Sequence, residues 1–213
     1  MPRLRQVPRS EAPADVVQVY QQLFGDRDPV AEPGTATGTP GNWWTVWALV
    51  PDVLAHAQAG FALLNRRSSL LKPRQRELAL TRAGFAAGSQ FVFSQHSKGA
   101  RRAGLSEEQV QAIPAWQVSD AFGPEERAIL AYTDAIVLEG GRVQDGVFDA
   151  LHEFFSDEAI LELTYAAATY ALHGTITRAL RLEFDDVPER VVEVPMPEGA
   201  PAAVDIMKDI SRA

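Results

Sequence analysis

No cysteine occurs among the 213 residues of this chain. Chemistry that runs through a thiolate, a sulfenic acid or a disulfide is thereby excluded for the isolated chain. Positive charge is also in short supply, with 20 Lys and Arg against 28 Asp and Glu and a formal net charge of −8. Binding along a nucleic-acid backbone is driven by clustered cations. The local Lys98, Arg101, Arg102 cluster is short and reads as a solvated helix face, so no nucleic-acid partner is expected. No apolar run approaches the roughly 20 residues that span a bilayer. The first residues, Met1-Pro2-Arg3-Leu4-Arg5-Gln6, lack the apolar stretch of a secretory signal. The expectation is a soluble cytoplasmic protein with no membrane partner. Gly-x-Ser-x-Gly, Walker and Gly-x-Gly-x-x-Gly patterns are missing too. His56, His96, His152 and His173 show no local zinc-ligand spacing, and His152-Glu153 lacks the second histidine of a zincin. No metal and no cofactor are expected.

What is present is an ordinary globular composition, 46% hydrophobic and 23% charged, at a length that suits one domain or a core with an added arm. Val16, Val19, Tyr20 and Leu23 recur at helical spacing and predict a helix over 14–24. Gly25 to Asn42, ending in PGTATGTPGN, reads as a loop, long enough to act as an arm, a lid or a partner-wrapping segment. Trp43 to Leu64 is a helical stretch interrupted at Pro51, and Pro73 opens a helix to about Ala87. Ser89 to Ala103, a capping box at Ser106-Glu107-Glu108-Gln109, and patterns over 124–139, 145–155 and 157–182 complete the set. Val191, Val192 and Val194 beside Pro195, Pro197 and Pro201 predict an extended tail, and nothing shows βαβ alternation. The fold class is all-α. The expected divisions are 1–42, an N-terminal helix and Gly/Pro-rich arm; 43–185, a helical domain; and 186–213, the tail.

Residues 77–96, ELALTRAGFAAGSQFVFSQH, hold the chemistry. Glu77, Thr81, Gly84 and Gly88 share one helix face, a carboxylate above two glycines, and that lack of bulk points to close approach of the following helix. On that next helix Ser89, Val92, Phe93 and His96 are placed on one side, with Ser89 at its N-terminus, where unpaired N–H groups favour anions. If Glu77 meets His96, the carboxylate fixes the imidazole tautomer and the pair can move a proton on a bound carbon acid. Taken singly, each residue has a plainer reading. Glu77 could pair with Arg74 at the surface, His96 could be a core histidine, and Ser89 an N-cap. Trp43, Trp44 and Trp47 are pocket or core candidates, and Tyr170 with His173 either reaches the site or forms a buried pair.

This run, with Gly104-Leu105-Ser106 after it, resembles the core of the carboxymuconolactone decarboxylase and AhpD-like alkylhydroperoxidase family, a group of all-helical oligomers. In the peroxidase branch of that family a Glu is followed twelve, fifteen and nineteen residues later by Cys, Cys and His. Counted from Glu77, those offsets fall here on Ser89, Val92 and His96. The lead-in Ala48 to Leu54 and the closing stretch Leu161 to Phe184 extend the resemblance over about 43–185.

The resemblance implies an AhpD-like bundle of about seven to eight helices and a homo-oligomer (dimer, trimer or hexamer). It implies a cysteine-free branch in which thiol peroxidase activity is disfavoured. The implied activity is carboxymuconolactone decarboxylase-like: acid–base chemistry without a cofactor on a small cyclic carboxylate or lactone, by decarboxylation or a related lyase or isomerase step. His96 would deliver the proton, Glu77 would orient it and Ser89 would hold an anionic group. Val92, Phe93, Trp44, Tyr170 and His173 would contact the substrate, and Arg178, on its charge alone, is the candidate to bind a substrate carboxylate. The alternative is a non-catalytic ligand-binding or scaffold oligomer that retains the fold.

Overall fold

The structure, a computed structural model, describes residues 1–186 and 191–194. It is all-helical: α1 (Ala14–Phe24), α2 (Asn42–Trp47), α3 (Pro51–Leu64), α4 (Pro73–Ala86), α5 (Gln90–Arg102), α6 (Glu107–Ala112), α7 (Pro124–Val137), α8 (Asp145–His152) and α9 (Asp157–Leu180). Short 3-10 turns cover Arg9–Glu11 and Ile113–Val118. The punctuation follows the residues that supply it. Pro51, Pro73 and Pro124 occupy first turns, where no backbone N–H is needed. Ser89, Ser106 and Ser156 each accept a backbone N–H of the following first turn.

The main core lies where α4, α7 and α9 meet α5 and α8. Leu78, Ile129, Leu130, Leu151 and Leu163 are fully buried there, each contributing roughly 1.5–3 kcal/mol by leaving water. Across this core the Arg82 guanidinium of α4 donates to both carboxylate oxygens of Asp134 on α7, at 2.5 and 2.9 Å, and the Trp116 indole N–H donates to the same group.

Residues 1–42 lie against this body. Val7, Val16, Tyr20, Leu23 and Phe24 bury themselves on Trp43, Val46, Trp47, Leu54 and Leu182 in a second apolar cluster, and the Tyr20 hydroxyl donates to the Val7 carbonyl. The 25–41 loop is held by its own polar groups. Arg27 donates to the Phe24, Glu32 and Gly34 carbonyls, and Lys98 of α5 donates to the Thr37 carbonyl. Residues 191–194 carry no regular secondary structure and run along α5, where Ser94 exchanges hydrogen bonds with Val194 and Arg101 pairs with Glu193. The rest of the expected tail, with Pro195, Pro197 and Pro201, lies outside the described residues. No helix among the described residues is long and apolar enough to cross a membrane.

Two glycines set the geometry of the α4–α5 pair. A Cβ on Gly84 would fall 2.7 Å from the Phe93 amide nitrogen and 2.7 Å from Val92 Cγ1, so the backbones of the two helices approach each other directly at this point. Gly88 serves differently from its expected place on the same stripe. Helix α4 ends at Ala86, and Gly88 turns the chain into α5 with φ +69°, a conformation costly for any residue with a Cβ.

Candidate active site

The close approach at Gly84 brings α4 and α5 together further along their length, where Glu77 and His96 face each other. Both are buried, at 0% and 5% exposure, and the Glu77 Oε2 to His96 Nδ1 distance is 2.9 Å. A carboxylate only accepts, so Nδ1 donates and the tautomer is set. Nε2 is then the ring nitrogen left for a ligand. On its other side Glu77 Oε1 lies 3.8 Å from Nε of Arg76, which is itself 1% exposed. The surface pair with Arg74 is not formed: Arg74 turns to Glu126, Gln109 and the Gly104 carbonyl.

The pair forms one wall of a pocket of about 240 Å³. Helix α2 contributes Trp43 and Trp44, α3 contributes Gln58, Phe61 and Leu64, and α5 adds Phe91, Val92 and Gln95. Tyr170 and His173 come from α9, and Thr37 and Thr39 from the 25–41 loop, which therefore covers the pocket. Tyr170 meets the His96 ring edge-on, with centroids 4.3 Å apart, and His173 lies 5.1 Å from Phe61 and 5.5 Å from Trp47.

Charge in this pocket is scarce. Burial pushes His173 down to about 4, helped by the nearby His96, so it is neutral near pH 7. Burial, with the Glu77 charge behind it, pushes the Tyr170 phenol far above its ordinary range and keeps it a proton donor. Its hydroxyl has no protein partner among the described residues. No Arg or Lys lines the pocket.

Val92, Trp44, Tyr170 and His173 thus stand where ligand contacts were expected, beside Glu77 and His96. Ser89, Phe93 and Arg178 do not. The Ser89 hydroxyl accepts from the Val92 N–H and donates to Asp185 Oδ2 at 2.5 Å, and the Phe91 N–H donates to Asp185 Oδ1. The anion at the start of α5 is therefore the chain's own Asp185. Phe93 turns away into the core against Phe85, at 5.6 Å. The pocket face of α5 is 91, 92, 95 and 96 rather than 89, 92, 93 and 96. Arg178 is exposed and donates to the Ala87 carbonyl beside Gly88, so it faces no substrate here.

Gln95 is the residue that the sequence reading missed. Its side-chain Nε2 is buried and has no hydrogen-bond partner. The signal was its position next to His96 and three residues after Val92, which places it on the same wall once the helix phase is known. Glu183 was missed as well. It is 5% exposed, accepts from the Trp43 N–H at 2.7 Å and the Gly41 N–H at 3.1 Å, and ties the start of α2 to the segment that follows α9. Burial pushes its carboxyl up to about 7, against the two N–H groups that lower it.

Residues 51–135, which contain both members of the pair, match the model of the Carboxymuconolactone decarboxylase family. Over 98 residues the chain is 29% identical to the uncharacterized protein YdfG of Bacillus subtilis (strain 168), covering 46% of this chain and 67% of that one. Among solved structures, a protein of unknown function from Agrobacterium tumefaciens, described as a candidate AhpD antioxidant defence protein, superposes with a TM-score of 0.58 at 28% identity. It covers 69% of this chain and 96% of its own. The debrominase Bmp8 superposes with a TM-score of 0.63 over 96% of both chains, and at 19% identity this likeness is one of fold. Relative to the family segment, Glu77, His96, Gln95 and the α3 wall lie inside it. Trp43, Trp44, Tyr170, His173 and the covering loop lie outside. The Glu77–His96 pair therefore lies inside the matched segment, while Thr37, Thr39, Trp43, Trp44, Tyr170 and His173 of the pocket wall lie outside it.

Proposed function

We propose that this carboxymuconolactone decarboxylase-family protein performs acid–base chemistry on a small ring bound in the aromatic pocket. The buried Glu77–His96 contact at the pocket wall carries the reading, because it leaves one imidazole nitrogen facing bound ligand with its tautomer set. His96 Nε2 takes a proton from a carbon next to a carbonyl. The new imidazolium is held by Glu77, and the proton is returned to a different atom of the ring. The Tyr170 hydroxyl is a neutral donor for the oxygen on which charge develops. Isomerisation of an uncharged lactone uses this proton directly, and elimination expels a leaving group from the neighbouring carbon in place of returning the proton; decarboxylation instead breaks the bond to the carboxylate, releases CO2 and needs the His96 imidazolium to protonate the carbon left behind. They differ in whether the substrate brings a carboxylate with it. A thiol route has no cysteine to start from.

We further propose that the chain works as a homo-oligomer, since α9 presents Leu161, Tyr165 and Leu172 outward. Light scattering that reports only a monomer would reject this.

The function test follows exchange of ring hydrogens for deuterium in D2O across a panel of lactones, cyclic ketones and β-keto acids. Wild-type protein should catalyse exchange or turnover on at least one of them. His96→Asn and Glu77→Gln should each lose about 10²–10⁴-fold, and the double variant little more, because coupled groups are not additive. Equal rates in wild type and His96→Asn would reject the reading. Binding without exchange on any compound would favour a ligand-binding protein instead.

A further inference from the structure

The pocket that holds the Glu77–His96 pair is lined by sixteen residues, and their chemistry says more about the ligand than the pair does. Five of them, Trp43, Trp44, Phe61, Phe91 and Tyr170, carry aromatic rings, and His173 packs among these with centroids 5.1 Å from Phe61 and 5.8 Å from Trp43. Such walls favour a flat partner that can stack or lie edge-on. The volume of about 240 Å³ leaves room for substituents, since a cavity of about 150 Å³ already takes benzene.

The lining contains one negative group, Glu77, and no Arg or Lys. Buried His173 is neutral near pH 7 and offers no substitute cation. The neighbouring cations are engaged elsewhere: Arg76 lies on the far side of Glu77 at 3.8 Å, Arg178 donates to the Ala87 carbonyl, and Lys98 donates to the Thr37 carbonyl. A carboxylate entering this space would leave water, meet Glu77 and find no counter-charge, the least favourable way to bury an ion. Gln95 makes the opposite demand. It is 7% exposed, lines the pocket, and its Nε2 donates to nothing. A buried donor without a partner is costly and is expected to have one in the working state. A neutral acceptor on the ligand, such as a carbonyl oxygen, meets it without adding charge.

We infer that the ligand of this pocket is an uncharged planar ring bearing a carbonyl-type acceptor, which takes its hydrogen bond from the Gln95 amide. This deepens the proposed function: among the reactions left open there, it selects the isomerase or lyase step on an uncharged ring over decarboxylation of a carboxylate. The binding claim itself needs no turnover.

Ligand-observed NMR titrations at pH 7.5 with benzamide and benzoate, two rings of one size that differ in charge, test it in wild type and Gln95→Leu. Benzamide should bind wild type at least about tenfold more tightly than benzoate. Gln95→Leu should lose about tenfold for benzamide, the scale of one buried hydrogen bond, and little for toluene, which has no acceptor. Circular dichroism confirms that each variant is folded. Benzoate binding as well as benzamide overturns the charge argument. Unchanged benzamide affinity in Gln95→Leu overturns the role of the amide, and no binding by either ring up to millimolar concentration overturns the whole inference. Benzamide binding by wild type alongside equal exchange rates in wild type and His96→Asn would reject the acid–base reading while leaving this one standing.

Discussion

Removing the Glu77 carboxylate should damage the fold more than removing its histidine. Arg76 is buried at 1% exposure, its Nε and Nη2 make no hydrogen bond, and Glu77 at 3.8 Å is its ion-pair partner. Two unit charges at that separation attract by about 4 kcal/mol at an effective dielectric of roughly 20. Measured losses on breaking buried pairs fall in the same range, about 3–5 kcal/mol, because the surviving charge is stranded. For a chain of this size each kcal/mol moves the melting temperature by about 2–4 °C, so Glu77→Gln should melt roughly 6–20 °C below wild type. His96→Asn leaves Arg76 and Glu77 together and should melt much closer to wild type. Adding Arg76→Met to Glu77→Gln should restore much of the loss, since no unpaired charge remains. Thermal unfolding followed by circular dichroism at pH 7 reads all three. A drop of less than about 3 °C for Glu77→Gln, or equal drops for the two single variants, would refute the view that Glu77 neutralises Arg76 as well as orienting His96.

Gly84→Ala should destabilise by about 1–3 kcal/mol or more through overpacking, because its Cβ would meet the Phe93 amide at 2.7 Å; a wild-type melting temperature would show that α4 and α5 can part freely. Ser89→Ala should cost about 1 kcal/mol as a lost cap and leave deuterium exchange unchanged, whereas loss of exchange at unchanged stability would return Ser89 to the site. His173, held near 4 when folded and ordinary when unfolded, takes up its proton mainly on unfolding between pH 6.5 and 4. Stability is therefore lost as pH falls through that window, and His173→Asn should lose less of it. A melting-temperature gap between the two proteins that stays constant from pH 7 to pH 4.5 would contradict this.

The helices were legible because their ends are written in local chemistry. Pro51, Pro73, Pro124, Ser89 and Ser106 act on their own first turns, and no distant residue is needed to place them. The Glu77–His96 pair was legible because both residues flank one short helix turn-around and Gly84, on the Glu77 face, leaves room for the two helices to approach closely. Helix phase was harder. Phe93 and Gln95 sit two apart on α5, and the core took the apolar one and left the amide to the pocket. Arg178 was chosen on charge, and charge does not say which way an exposed side chain on α9 turns. The two carboxylates that close helix N-termini were invisible for another reason. Asp185 lies 96 residues from Ser89, and Glu183 lies 140 from Trp43, so no sequence window contains both partners.

Those two carboxylates also order events in time. As the chain is synthesised, α4 and α5 can pair as soon as both have emerged, because their contact closes over nineteen residues. The first turn of α2, which carries the Trp43 and Trp44 wall, must wait for Glu183, and the start of α5 must wait for Asp185. Closing contacts of that separation is slow relative to local pairing. The Glu77–His96 pair can therefore form early in a chain whose pocket is still open, and a single short segment, Leu182 to Asp185, fixes both α2 and the start of α5 at the end.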